Sequence, residues 1–187
     1  LEWFGRLGHG IIVFPGGVGT AEEILYLLGI LLREENKDLP FPLVLTGPAV
    51  AAPYFEQIDR FIRLTLGDDA AARYQIIVGD PPAVARAMAA GIKQVREYRL
   101  HNKDSFYFNW GLHIPLEFQQ PFEPTHEAMA ALDLHRNRPP HALAADLRRA
   151  FSGIVAGNVK EPSMRRIEQY GPFEIHGDAE LMASLDA

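Results

Sequence analysis

Ten residues near the start of the chain carry most of the chemistry it could do: Phe14-Pro15-Gly16-Gly17-Val18-Gly19-Thr20-Ala21-Glu22-Glu23. Gly16, Gly17 and Gly19 permit positive φ and let a ligand approach the backbone. Thr20 is expected to open a helix whose first free N–H groups and dipole favour an anion. A phosphate suits that position. The plainer reading is that three glycines only make a tight turn from strand to helix.

Glu22 and Glu23 divide in the same way. Thr20-Ala21-Glu22-Glu23 has the form of a capping box, in which Glu23 reaches back to the N–H of Thr20, and acidic residues are favoured in a first helical turn. The chemical reading sets one carboxylate beside a bound sugar. There it binds hydroxyls or stabilises the positive charge that develops as a glycosidic bond breaks.

Two common phosphate loops are excluded. A P-loop needs Gly-Lys-Ser/Thr, and no lysine occurs before Lys37. A dinucleotide fingerprint needs a third glycine where Glu22 stands, and a negative charge there disfavours a pyrophosphate. A monophosphate held by the turn, with a carboxylate acting further along the ligand, is the simpler picture.

The elements that must position these residues follow from periodicity. Gly10 to Phe14, Pro42 to Leu45 and Gln75 to Val78 are short apolar runs that read as buried strands. Between and after them lie helical stretches: Ala21 to about Leu32, Ala51 to Leu66 with Pro53 in its first turn, and Pro82 to about Tyr98. Apolar strands alternating with helices imply a doubly wound α/β fold of Rossmann type with a parallel sheet covered on both faces. Only three strands are in view, so residues 1–100 read as the C-terminal half of such a domain. The start at Leu1 and a last helical pattern without a cap read as truncations, with the N-terminal part of the protein missing.

A polar break at His101-Asn102-Lys103-Asp104 marks a boundary, and residues 101–187 read as a smaller α+β C-terminal domain. It contains helices from His141 to about Val155 and from Ser163 to Gln169. Arg148, Arg149 and Lys160 are read either as an anion site for a regulatory nucleotide or as a solvated helix face. Gly153 and Gly157 suggest close helix packing. Phe106, Tyr107, Phe108 and Trp110 are read as core, with Tyr107 or Trp110 as the alternative lining of a base pocket or subunit contact.

Composition narrows the partners. The formal charge of -6 argues against a general nucleic-acid or membrane-surface binder. No cysteine is present, which excludes disulfides, thiolate zinc sites and cysteine nucleophiles. His135 and His141 lack the spacing of a helical metal site, and no metal or cofactor is expected. No apolar run spans a membrane and nothing reads as a signal peptide, so a cytoplasmic protein is expected.

The motif Pro15-Gly16-Gly17-Val18-Gly19-Thr20-Ala21-Glu22-Glu23 fits Pro-Gly-Gly-x-Gly-Thr-x-x-Glu, and so resembles the Lonely Guy phosphoribohydrolases, a group long labelled lysine decarboxylase-like. With Phe14, Leu27-Leu28-Gly29-Ile30-Leu31 and the stretch Ala144 to Glu161, the chain is similar more narrowly to the pyrimidine/purine nucleotide 5'-monophosphate nucleosidases. That resemblance implies hydrolysis of the N-glycosidic bond of nucleoside 5'-monophosphates to free base and ribose 5-phosphate. It implies that Gly16, Gly17, Gly19 and Thr20 hold the 5'-phosphate and that Glu23 acts at the ribose and the attacking water. Glu22 is then the capping neighbour or a second ribose contact. Homo-oligomers and regulation by alarmone nucleotides are also implied.

The resemblance further implies an upstream glycine-rich turn and an arginine in the helix that precedes the Pro-Gly-Gly strand; that arginine would fall just before Leu1, and Arg6 lies two turns too late to replace it. The activity is therefore expected of the intact protein, and the chain alone is expected to be incomplete. A lysine decarboxylase would need pyridoxal phosphate on a Schiff-base lysine, and Lys37, Lys93, Lys103 and Lys160 sit in no such setting. The nonenzymatic alternative is a nucleotide-binding or alarmone-sensing module using the same turn. The presence of Glu23 weighs against it, since binding alone does not need that carboxylate.

Overall fold

The computed structural model of the protein describes residues 2–185; Leu1, on which the reading of an early start rests, lies outside them. The first part runs α1 (Glu2–Leu7), β1 (Ile11–Val13), α2 (Val18–Leu31), β2 (Leu43–Gly47), α3 (Ala52–Leu66), α4 (Asp68–Ala71), β3 (Gln75–Val78) and α5 (Pro81–His101). The three strands form one parallel sheet in the order β1-β2-β3, with Ile12 opposite Val44 and Leu45 opposite Ile76.

Only the central strand is buried on both faces. Leu43 and Leu45 join the core beside α2 and α3, while Val44 turns the other way, toward α5. On the edges, Ile12 of β1 and Ile76 of β3 remain 40% and 38% exposed. Among the described residues, the expected cover on both faces is present for β2 and incomplete for β1 and β3. An edge strand lacks a neighbour to carry helices across it.

Helix ends follow local chemistry. Pro53 sits in the first turn of α3, where its missing N–H costs nothing, and the helix stops at Gly67, whose φ of 86° suits a residue without Cβ. Asp80 caps α5 by accepting from the Ala83 N–H at 2.9 Å.

Behind β3, the Tyr74 hydroxyl donates to Asp59 Oδ1 at 2.7 Å and Arg63 Nε donates to Oδ2 at 2.8 Å. Burial alone would raise the Asp59 pKa, but these two donors outweigh it and hold the carboxyl below its ordinary value. A depressed folded pKa contributes stability that is present above the unfolded pKa and is lost as pH falls through the folded one. Tyr74→Phe is thus expected to cost about 1–2 kcal/mol at neutral pH. The deficit should shrink below about pH 4. Urea unfolding of both proteins across a pH series checks this, and a deficit that persists unchanged into acid would remove Asp59 from the account.

The second part comprises α6 (Leu116–Gln119), α7 (His126–Ala130), β4 (Asp133–Leu134), α8 (Pro140–Val159), α9 (Glu161–Tyr170), β5 (His176–Gly177) and α10 (Ala179–Leu185). The pair β4-β5 is parallel. The expected long and short helices fall within α8 and α9.

Packing is continuous across residue 100. Every residue of α2 from Ile24 to Leu31 is buried, which marks a central helix rather than a surface one. Val13, Leu43 and Leu45 of the sheet share its core, and Leu143, Ala144, Leu147 and Ala150 of α8 pack into the same core. The buried Asn36 side chain bonds the Ile30 and His113 carbonyls and accepts from the His113 N–H, all at 2.8 Å.

At Gly29 a Cβ would stand 2.7 Å from the Phe118 ring and 3.7 Å from the Ala144 methyl, so the close approach of α2, α6 and α8 depends on its absence. Gly29→Ala is expected to destabilise the protein by about 1–3 kcal/mol through overpacking. A melting temperature equal to that of the parent would refute this. Gly153 and Gly157 serve the close packing expected of them, the first against Met129 and the second against Ile167.

The aromatic run is not core. Tyr107 and Trp110 are 82% and 70% exposed, and only Phe106 and Phe108 are half-buried. The run lies on the surface beside α1 and α5, with Arg96 over the Phe106 ring. Among the described residues no helix is long and apolar enough to cross a membrane.

Candidate active site

The site begins where β1 ends. The helix expected to open at Thr20 starts earlier: α2 includes Val18, with Gly17 as its N-cap and no side-chain cap. Gly19 and Thr20 lie inside the first turn, and the Thr20 N–H donates to the Gly17 carbonyl at 3.0 Å. The capping box therefore does not form, because Thr20 is three residues too deep to serve as the cap.

The glycines also act differently from the expectation. Positive φ occurs at Gly67, Gly79 and Gly171, and not at Gly16, Gly17 or Gly19. What matters in the motif is the missing Cβ. At Gly16 a Cβ would overlap Thr20 Oγ1, so its absence lets the Thr20 hydroxyl tuck against the turn. At Gly17 and Gly19 a Cβ would meet nothing within 4 Å. Bare backbone faces open space there, and the N–H groups of Val18 and Gly19, first in the helix, have no intrahelical acceptor. With the positive end of a 14-residue helix behind them, this is an environment that favours an anion.

Beside the turn lies a cleft of about 190 Å³, walled by Phe4 of α1, Ile12 and Phe14 of the β1 segment, and Thr20, Glu23 and Tyr26 of α2. Thr20 and Glu23 are three residues apart, which puts them on one helical face. Glu23 is exposed to the cleft and free of any side-chain ion pair among the described residues. Tyr26 is 2% exposed, and its hydroxyl donates to the Phe118 carbonyl at 3.1 Å. Burial first, then the Glu2 charge, pushes its pKa up to about 12, so the phenol stays a neutral donor. On the other side of Phe14 a second crevice of about 570 Å³ opens across the carboxyl ends of the strands, at Thr46, Gly47 and Gly79.

Glu22 does not share the cleft. One residue on, the helix has turned by about 100°. Its carboxylate instead faces Arg148 of α8, Oε1 to Nη1 at 3.7 Å. Arg148 is buried, neither a solvated surface residue nor grouped with Lys160, which is exposed at the end of α8. Arg149 is held by Asp146 at 2.8 Å and Glu117 at 3.2 Å. The three cations considered as one anion site are thus dispersed, two of them already engaged by carboxylates. Arg6 donates to the Leu112 carbonyl at 2.6 Å and does not line the cleft. Among the described residues no three His, Asp or Glu side chains converge as a metal site would require.

Sequence reasoning missed Tyr26 and Phe4. Tyr26 carried a signal: it is the one polar-tipped side chain in the apolar stretch Ile24 to Leu31, and buried tyrosines seek a partner.

A parallel sheet with a glycine-fronted helix at a strand's carboxyl end places the protein among α/β domains, in which ligands bind outside the carboxyl ends of the strands. Residues 92–187 match the family model described as pyrimidine/purine nucleotide monophosphate nucleosidase, C-terminal, and residues 1–88 match the one described as possible lysine decarboxylase. The chain belongs to the pyrimidine/purine nucleotide monophosphate nucleosidase family. It is 54% identical over 186 residues to the pyrimidine/purine nucleotide 5'-monophosphate nucleosidases of Escherichia coli strain K12 and of Escherichia coli O157:H7. The match covers 100% of this chain and 41% of each relative, so the chain spans about two fifths of their length.

Proposed function

We propose that the protein hydrolyses the N-glycosidic bond of nucleoside 5'-monophosphates, releasing a free base and ribose 5-phosphate. The observation that carries this reading is the placement of Thr20 and Glu23 in one cleft beside the open backbone of Gly17 and Gly19. The 5'-phosphate sits on the first turn of α2, taking hydrogen bonds from the Val18 and Gly19 N–H groups and the Thr20 hydroxyl. Gly16 allows that hydroxyl its position. The ribose then lies along the helix toward Glu23.

The C1'–N bond breaks with its electron pair leaving on the base, which takes a proton from solvent that is later balanced by the one Glu23 returns, while positive charge develops at C1' and the ring oxygen. A carboxylate at Glu23 stabilises that charge and takes the proton of the water that attacks C1'. Glu22, turned to Arg148, acts on the helix rather than on the sugar.

The test is ribose 5-phosphate release from a panel of nucleoside monophosphates by the complete protein. Release with multiple turnover is expected. A protein that binds the nucleotides and releases nothing would be a nucleotide-binding module and would end the enzymatic reading.

A further inference from the structure

From Val18 to Glu23 no residue of α2 is buried; burial begins only at Ile24. The first turn and a half of the helix, which carries both the anion-binding N–H groups and Glu23, is therefore not fixed by core packing. No side chain caps it. Among the described residues, one side-chain polar contact ties this stretch to the rest of the molecule, and it is the pair Glu22–Arg148.

Arg148 is itself well anchored. Its side chain is 8% exposed and that of Glu22 18%, so the pair is largely shielded from solvent and the attraction is less screened than at a surface. The guanidinium carbon stands 5.8 Å from the ring centres of both Tyr26 and Phe118, over two aromatic faces. Those rings meet edge to face at 5.2 Å and are joined by the Tyr26 hydroxyl to Phe118 carbonyl bond. Leu147, next to it on α8, is fully buried against the core.

Glu22 and Tyr26 are four residues apart and form one stripe of α2, of which Tyr26 also borders the cleft; Thr20, Glu23 and Leu27 form the neighbouring stripe along the cleft. A helix is a stiff cylinder at this length, so holding the first stripe sets the rotation of the second.

We propose that Arg148 is a positioning residue for the glycosidic cleavage: by holding Glu22 against α8 it fixes the first turn of α2 so that Glu23 and the phosphate-facing N–H groups keep their aim. A segment of the C-terminal part of the chain thereby supports a site whose candidate ligand-facing residues, among the described ones, come from the N-terminal part. The inference rests on the nucleosidase reading for its catalytic consequence, but its structural half stands on the helix alone.

Two measurements on the complete protein separate the halves. The first is hydrogen exchange of the peptide spanning residues 18–26. Arg148→Met is expected to speed exchange there at least fivefold while peptides within α8 stay as in the parent, and Arg148→Lys, which keeps the charge, is expected to recover part of the protection. The second is steady-state release of ribose 5-phosphate. Arg148→Met should lower kcat/KM at least tenfold, with both kcat and KM affected, Arg148→Lys should restore part of the loss, and Glu22→Gln combined with Arg148→Met should lose little more than either alone.

Unchanged exchange at 18–26 overturns the proposal whatever happens to kcat, and a fall in kcat without it would make Arg148 a direct substrate contact. Loosening across the whole molecule, with no rescue by lysine, would overturn it in favour of a purely structural role. A parent that releases no ribose 5-phosphate would end the nucleosidase reading, while the exchange result still decides whether Arg148 holds the helix.

Discussion

Replacing Glu23 with glutamine in the complete protein is expected to reduce ribose 5-phosphate release by roughly 10²–10⁴-fold, the usual contribution of a positioned acid–base group. Binding of ribose 5-phosphate should stay within a few-fold of the parent. The amide has the shape of the carboxylate and can still hydrogen-bond a hydroxyl. It cannot hold a negative charge opposite a developing oxocarbenium ion, nor take the proton of water. Uniform binding would thus survive while the interaction made only in the transition state is lost, and kcat should fall without a matching rise in KM.

Glu22→Gln is the informative control, because Glu22 is the neighbouring acid but faces Arg148 at 3.7 Å and not the cleft. Its effect should be smaller and should appear in hydrogen exchange of the first turn as well as in rate. Calorimetry of ribose 5-phosphate binding together with turnover measurements separates the cases. If Glu23→Gln keeps full turnover, the carboxylate is not part of the chemistry and the site must be sought elsewhere, the crevice at Thr46 and Gly79 being the next place to look.

The parts of this molecule that could be read from sequence are those governed by local rules. Apolar runs such as Leu43-Val44-Leu45 gave the strands, and Pro53 and Gly67 bracket α3 because fixed or positive φ has few other uses. The start of α2 was misplaced because the Thr20 to Glu23 spacing satisfies a capping-box pattern that the backbone does not use. Pattern cannot tell whether Thr20 is the cap or lies three residues inside.

Ile12 and Ile76 are exposed among the described residues, and their side-chain types are the same in a central strand and an edge strand, so position in the sheet was not legible from them. The aromatic run at Phe106 to Trp110 failed for a related reason: large apolar side chains on a loop are not committed to the interior by their own chemistry. The role of Arg148 was out of reach for a third reason. Its partner Glu22 is more than a hundred residues away in the chain, and no local rule pairs them. The two family models meet between residues 88 and 92, yet the core runs on from α2 to α8 without a break. A change of family model along a chain is a statement about its relatives, and packing is a separate question.

Gly19→Ala is expected to move stability and ligand affinity in opposite directions, which few single substitutions do. Gly19 lies within the first turn of α2, its φ is not positive, and an added Cβ would meet nothing within 4 Å. Nothing in the unliganded protein resists the methyl group. Alanine in place of a helical glycine restricts the unfolded chain, and a gain of about 0.5–1 kcal/mol is expected in unfolding free energy.

On the proposed reading, an anion that reaches the Val18 and Gly19 N–H groups approaches through this open space. A methyl there holds a phosphate off by more than a hydrogen bond can stretch, so affinity for ribose 5-phosphate should fall at least tenfold, about 1.4 kcal/mol. Gly17→Ala should behave likewise in binding, since φ −90° and ψ −157° are open to alanine and its Cβ also points into empty space. Gly16→Ala should differ from both: its Cβ would displace the Thr20 hydroxyl, so stability and affinity should fall together.

Thermal melting of the Gly16→Ala and Gly19→Ala proteins and calorimetric titration of all three variants give five numbers whose signs are set in advance. A Gly19→Ala protein that melts higher and binds as tightly as its parent would show that the ligand never touches this turn, and the phosphate would have to be assigned to another part of the cleft. One that melts lower would mean that the backbone at Gly19 is under a constraint that open space around its Cα does not reveal.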